Sequence, residues 1–175
     1  IEPLPSNVDI TLLGGEMINQ KAFKKIKLAA RWKTFYNLYG PTETTVDATV
    51  SEITAQQKRI TLGTPLDEVC IKIKNNEIWI ASPGMFLEYV NNPEKTKQSK
   101  IRVDGKTYYK TGDKGKLATV DGKKQLIAFG RLDRQCKIRG NRIELDEISH
   151  FADEHPRIKR TYTAHYNDRI LLFYI

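Results

Sequence analysis

Cysteine is scarce in this chain of 175 residues, which carries only Cys70 and Cys136. The two lie far apart, each inside an apolar, β-like pattern, and form no C-x-x-C. That spacing argues against a zinc site or a dithiol pair and predicts buried, reduced thiols, as a reducing cytosol would keep them. Histidine is also sparse, with three residues in all. His150 and His155 fall on an expected helix, five positions and roughly 140° apart at ~100° per residue, so they share no ligand face. No apolar run approaches spanning length and no signal peptide is visible; a cytoplasmic protein with no membrane partner is the expectation. Acid is in deficit, with 21 acidic against 29 basic residues and a formal charge of +8. The surplus gathers at Lys21, Lys24, Lys25, Lys27, Arg31 and Lys33, a spacing that suits the solvated face of an amphipathic helix. No nucleic-acid motif accompanies it, and no nucleic-acid partner is expected. An initiator Met is missing too. The chain opens on Ile1 and stops on Leu171-Leu-Phe-Tyr-Ile175, an apolar strand in want of a neighbour, so a piece of a longer chain is expected.

What is present suits a folded globule: 39% hydrophobic and 29% charged residues, in a length that buries one sizeable core or one core and part of another. Val8 to Leu13 reads as a strand ending in Gly14-Gly15-Glu16, where paired glycines let a ligand approach the backbone. From Asn19, a plausible cap, to Trp32, the apolar positions Ala22, Phe23, Ile26, Ala29 and Ala30 recur at helical spacing. Thr34-Phe35-Tyr36 reads as the next strand, completing a βαβ unit. Val46 to Ile53 looks extended. Beyond Ile60 the chain turns to short strands: Val69–Ile73, Glu77–Ala81, Thr107–Lys110, Lys116–Val120 and Gln125–Phe129. Asn75-Asn76 and Asp121-Gly122 are its hairpin turns, and one short helix is expected near Pro93 to Ser99. Gln135 to Ile138 is a strand and Arg139-Gly140-Asn141 a turn. Glu144 to His155 is a helix with Leu145, Ile148, Phe151 and Ala152 on one face, and a hairpin follows around Asn167-Asp168.

Three stretches carry chemistry. Asn37-Leu38-Tyr39-Gly40-Pro41-Thr42-Glu43-Thr44-Thr45 puts a Gly-Pro turn at a strand's carboxyl end, where open α/β sheets bind ligands. Tyr39 offers a flat face to a heterocycle, Thr42 a hydroxyl to a phosphate oxygen, and Glu43 a hard oxygen to Mg²⁺. Tyr109-Lys110-Thr111-Gly112-Asp113 ends in a carboxylate behind a glycine. Gly130-Arg131-Leu132-Asp133 opens a string that continues through Lys137 and Gly140 to Leu145, and Arg131 brings a guanidinium fork suited to ribose or phosphate oxygens.

Together these stretches resemble the Y-G-P-T-E, Y-(R/K)-T-G-D and G-R-x-D-x-Q-(V/I)-K-I-R-G-x-R-I-E-L motifs of the adenylate-forming superfamily. The form is that of amino-acid adenylation domains of nonribosomal peptide synthetases, and the resemblance spans Leu12 to Ile175. It implies an α/β fold (α+β within this stretch). Residues 1–132 would be the end of the large domain, split into a βαβ lobe (1–58) and a β-barrel-like lobe (59–132). Residues 133–175 would begin a mobile αβ lid. It implies ATP and Mg²⁺ as cofactors and an amino acid or other small carboxylic acid as substrate. The partner would be a carrier-protein domain whose phosphopantetheine receives the activated acyl group. On this resemblance Glu43 holds the metal and Thr42 a phosphate oxygen, while Gly15 and Glu16 lie against the adenine opposite Tyr39 and Gly40. Asp113 and Arg131 hold the ribose. Gly14, Leu38, Val46 and Asp47 line the acid's pocket. Asp133 is the hinge, and Lys137 and Gly140 belong to the lid face. The family often has Tyr where this chain has Ala128, which removes one aromatic contact to the nucleoside. A Gly/Ser/Thr-rich phosphate loop and a late lysine of the family are not in these residues, so no activity is expected of them alone. A D-alanine–carrier-protein ligase, an acyl- or aryl-CoA ligase and a non-catalytic nucleotide-binding module stay open as alternatives.

Overall fold

The computed structural model describes residues 8–138, 140–166 and 169–175. The chain forms two compact units, Ile1–Gly130 and Arg131–Ile175. None of the helices is long and apolar enough to cross a membrane, among the described residues.

The first unit begins with β1 (Ile10–Leu13), α1 (Gln20–Ala29) and β2 (Thr34–Tyr39). β1 and β2 pair in parallel, which requires a crossover, and α1 supplies it. The helix starts where Asn19 Oδ1 accepts the Ala22 N–H at 2.9 Å. It buries Phe23 and Ile26 against Phe35 and Ile53 of the sheet, each such side chain contributing about 2 kcal/mol. Lys21, Lys24 and Lys25 stand exposed on the opposite face. Removing the cap with Asn19→Ala is expected to destabilise the unit by about 1 kcal/mol, read as a small shift of the denaturation midpoint at constant slope. No shift would mean that tertiary packing alone holds the first turn.

A 3₁₀ turn over Thr42–Thr44 follows, then β3 (Thr49–Ile53), antiparallel to β2, and the two-residue β4 (Thr64–Pro65) beside β3. The expected strand from Val46 starts three residues later. Thr45 and Val46 have φ of 63° and 68°, left-handed values that no strand uses.

A second sheet contains β5 (Cys70–Lys74), β6 (Glu77–Ala81), β7 (Lys100–Val103), β8 (Lys106–Val120) and β9 (Lys123–Arg131), with α2 (Pro93–Ser99) before β7. Its order is β5-β6-β8-β7, with β9 also on β8. Among the described residues this sheet is open, a β-rich lobe within a mixed α/β fold, with no closing pair of strands. Asn75-Asn76 and Asp121-Gly122 have positive φ at both positions, as two-residue hairpins matching the strand twist require. The two strands expected around Thr111-Gly112-Asp113 are one. Lys110 to Lys114 on β8 lies opposite Trp79 to Glu77 on β6, a bulge rather than a turn. Gly112 takes φ of 72° there. Its N–H donates to Glu77 Oε1 at 2.9 Å, and Thr111 Oγ1 donates to the Ile78 carbonyl at 2.7 Å.

The two sheets of this unit share a core of Ala48, Ile78, Ile80 and Leu126, with Tyr39 and Leu62 packed against it. Between them runs a polar seam. Asn37 Nδ2 donates to the Thr61 carbonyl at 2.8 Å, Thr61 Oγ1 to Gln125 Oε1 at 2.6 Å, and the Leu126 N–H to the Gly63 carbonyl at 2.7 Å. Cys70 and Cys136 are free and half-buried rather than fully buried. Cys70 Sγ lies 2.9 Å from Lys106 Nζ.

In the second unit β10 (Gln135–Ile138) pairs antiparallel with β11 (Asn141–Glu144). Then come α3 (Leu145–Asp153) and the antiparallel pair β12 (Thr161–Tyr166) and β13 (Arg169–Tyr174). Asn141 belongs to a strand, while Arg139 and the expected Asn167-Asp168 turn lie outside the described residues. Phe151 is 77% exposed, contrary to its expected place on the inner face of α3. Ser149 takes that side instead, because it satisfies the sheet: its carbonyl accepts from Thr161 Oγ1 at 2.9 Å and its Oγ accepts the Thr163 N–H at 3.1 Å.

Candidate functional site

Parallel strands β1 and β2 end side by side, with Leu13 opposite Asn37, so the Gly14-Gly15-Glu16 turn emerges next to Leu38-Tyr39-Gly40. A Cβ on Gly14 would lie 3.4 Å from the Leu38 carbonyl oxygen. These two proposed pocket residues are therefore neighbours. Gly15 (φ 85°) and Glu16 are exposed beyond the strand end. Gly40 has no room for a side chain: a Cβ would meet the Val46 carbonyl oxygen at 2.4 Å. Glycine permits the chain to fold back closely on itself here, and Asp47 is half-buried while Val46 is 62% exposed.

Two motifs distant in sequence meet here. Tyr39 Oη donates to Asp113 Oδ2 at 2.6 Å, across 74 residues. The bulge at Gly112 aims Asp113 there, since its N–H is pinned to Thr111 Oγ1 at 3.0 Å. A phenol and a carboxylate so joined present one aromatic face and one acceptor pair from two different sheets.

Thr42 is exposed, whereas Glu43 is only 5% exposed. A buried carboxylate requires hydrogen-bond donors, and Tyr89 Oη supplies one to Glu43 Oε1 at 2.6 Å. Tyr89 Oη also lies 3.3 Å from Tyr109 Oη. Burial, together with the Glu43 bond, pushes the Tyr89 phenol well above its ordinary range. Sequence reasoning missed Tyr89. The available signal was an aromatic pair, Phe86 and Tyr89, between a Pro83-Gly84 turn and the Asn92-Pro93 helix start.

Metal fit follows from donor chemistry. No cluster of three or more His, Cys, Asp or Glu that could hold an ion exists among the described residues. Mg²⁺ needs only one or two protein carboxylates when phosphate oxygens complete its shell, a demand that the single carboxylate of Glu43 would meet.

The remaining predicted residues belong to the second unit. The Arg131 fork closes on Asp133, Nε to Oδ1 and Nη2 to Oδ2, both at 2.6 Å. Burial raises the Asp133 carboxyl, but the Arg131 hydrogen bond and charge and the Gln135 N–H outweigh it, leaving the group below its usual range. Lys137 on β10 and Gly140 (φ 80°) are exposed.

The sequence profile of the AMP-binding enzymes matches residues 2–90; the chain belongs to this family. The D-alanine–D-alanyl carrier protein ligase of Lactococcus lactis is 38% identical over 141 residues, covering 78% of this chain and 28% of that protein. Gramicidin S synthase 2 of Brevibacillus brevis is 35% identical over 167 residues, covering 87% of this chain and 4% of that protein. The chain thus spans well under a third of these relatives. The Vibrio cholerae adenylation domain AlmE, solved in complex with glycyl-adenosine-5′-phosphate, shares the fold. Its TM-score is 0.78 at 22% identity, over 90% of this chain and 32% of that one.

Proposed function

We propose that these residues form the nucleotide-holding part of an adenylate-forming ligase. Such an enzyme joins an amino-acid carboxylate to the α-phosphate of ATP, releases pyrophosphate, and passes the acyl group to a carrier-protein phosphopantetheine thiol. The observation that carries this reading is the Tyr39–Asp113 hydrogen bond, which joins the first two motifs as a nucleoside site needs.

In this reading Tyr39, with Gly15, Glu16 and Gly40 around it, stacks on adenine. Asp113 accepts the ribose diol, with Arg131 as a further donor. Glu43 is the metal's protein ligand and Thr42 holds a phosphate oxygen. When bound, Mg²⁺ supplies neutralisation of the phosphate charge. Positioning and charge stabilisation are the main catalytic contributions in chemistry of this kind. Gly14, Leu38, Val46 and Asp47 face the acid. A half-buried Asp47 favours a substrate with a polar or basic side chain. Asp133 is the proposed hinge of a lid formed by residues 133–175, with Lys137 and Gly140 on its working face. A reducing cytosol is the proposed setting.

A second reading, transfer of D-alanine to a carrier protein, is favoured by the 38% identical relative. Acid-dependent ATP–pyrophosphate exchange by the full-length protein tests both. Exchange with one amino acid is expected, and D-alanine as that acid would select the second reading. Exchange only with fatty or aryl acids would move the protein to CoA-ligase chemistry, and no exchange with any acid would overturn the proposal.

A further inference from the structure

We infer that Tyr89 is a positioning residue for Glu43, its phenol fixing the carboxylate in the orientation from which it meets a metal–nucleotide. The inference rests on the proposed role of Glu43 as the metal's protein ligand.

The torsion that rotates a glutamate's carboxylate plane is broad and nearly unrestrained. A ligand-bearing Glu therefore needs an outside partner to set that plane. Here the partner arrives on the loop between β6 and α2, which is tied to the Thr42–Thr44 turn at three points. The Phe86 N–H donates to the Glu43 carbonyl at 2.9 Å. Thr45 Oγ1 donates to the Gly84 carbonyl. Tyr89 Oη donates to Glu43 Oε1 at 2.6 Å. Gly84 leaves room for this approach: a Cβ there would sit 2.5 Å from Thr45 Oγ1 and displace that side chain.

The phenol is itself held on several sides. The Tyr89 N–H donates to Thr96 Oγ1 at 2.9 Å in α2. Its ring packs on Phe86 with centroids 4.7 Å apart, and Lys95 Nζ lies 5.1 Å from the ring centre. Phe86 is anchored in turn by Lys100, whose Nζ donates to its carbonyl at 2.7 Å and stands 4.3 Å over its ring. The outer partners of metal ligands act in this way, and losing one typically weakens metal affinity about 10–100-fold.

The test is Mn²⁺ binding by the full-length protein, followed by electron paramagnetic resonance in the presence of a non-hydrolysable ATP analogue. Wild type, Glu43→Gln, Tyr89→Phe and Thr45→Val are compared, with circular dichroism as the check on folding. Tyr89→Phe keeps the ring and its packing. It is expected to raise the Mn²⁺ Kd about 10–100-fold in a protein with the wild-type spectrum. Thr45→Val, which unties the loop without touching the phenol, is expected to raise it less. If Glu43→Gln abolishes Mn²⁺ binding while both other variants keep the wild-type Kd, the inference falls and the metal reading stands. If Glu43→Gln itself binds Mn²⁺ as wild type does, both fall.

Discussion

Glu43→Gln is expected to reduce ATP–pyrophosphate exchange in the full-length protein by about 10²–10³-fold, the usual effect of losing one electrostatic contact to a charged transition state. The substitution is nearly isosteric, and the amide oxygen still accepts the Tyr89 O–H that now reaches Oε1 at 2.6 Å. Fold and packing should therefore survive. Stability is expected to hold or rise, because a neutral amide replaces a carboxylate that is only 5% exposed, and desolvating an amide is far less costly than desolvating an ion. Activity and melting temperature should thus move independently. Exchange within a few-fold of wild type would remove Glu43 from the metal site. A large loss of folded protein would show that its charge serves the fold.

The second large effect is structural. Gly63→Ala is expected to destabilise the first unit by more than about 4 kcal/mol, at the exceptional end for single substitutions. Two causes add. Gly63 has φ of 76°, and a Cβ there would lie 1.7 Å from the Val50 carbonyl oxygen and 2.6 Å from the Ser51 nitrogen, both backbone atoms that cannot swing away. Gly105 isolates the first cause, since its φ is 78° with nothing within 4 Å of the added Cβ. Gly105→Ala should cost only the conformational penalty of about 1–2 kcal/mol. Comparing soluble yield and melting temperature of the two variants in the full-length protein separates strain from collision. Equal behaviour would mean that the seam around Gly63 relaxes freely.

The sequence was most legible where one local rule governs. Helix α1 and its Asn19 cap, the Asn75-Asn76 and Asp121-Gly122 turns, and strands β6 and β10 follow from period, cap and turn chemistry alone. It was least legible where a partner decides. Thr111-Gly112-Asp113 has the composition of a turn, yet Glu77 and Ile78 on β6 hold it inside one long strand. Phe151 fits an apolar stripe, but the hydroxyl and carbonyl of Ser149 seat α3 on β12 instead. Val46 is β-branched and reads as strand, yet it takes a left-handed conformation where the chain passes close against Gly40. For the candidate site, the motif residues were visible and their contacts were not. Nothing in the string around Glu43 reveals that a tyrosine 46 residues downstream donates to it. The Tyr39–Asp113 bond likewise depends on a bulge whose glycine signals only a break.

The polar seam also dictates when this protein can become itself during synthesis. Its bonds span 24 residues from Asn37 to Thr61 and 64 from Thr61 to Gln125, so β1, α1 and β2 leave the ribosome long before the strand that completes their other side. Domains gain structure in order of emergence, and long-range pairings form last. Until Gln125 and Leu126 appear, Thr61 Oγ1 lacks its Gln125 partner and the Gly63 carbonyl lacks the Leu126 N–H. The nascent βαβ segment can pair with β3 soon after it emerges, but the polar seam stays open until most of the first unit has been translated. The site around Tyr39 is encoded early and assembled late, which makes this interval the point at which a chaperone would matter most.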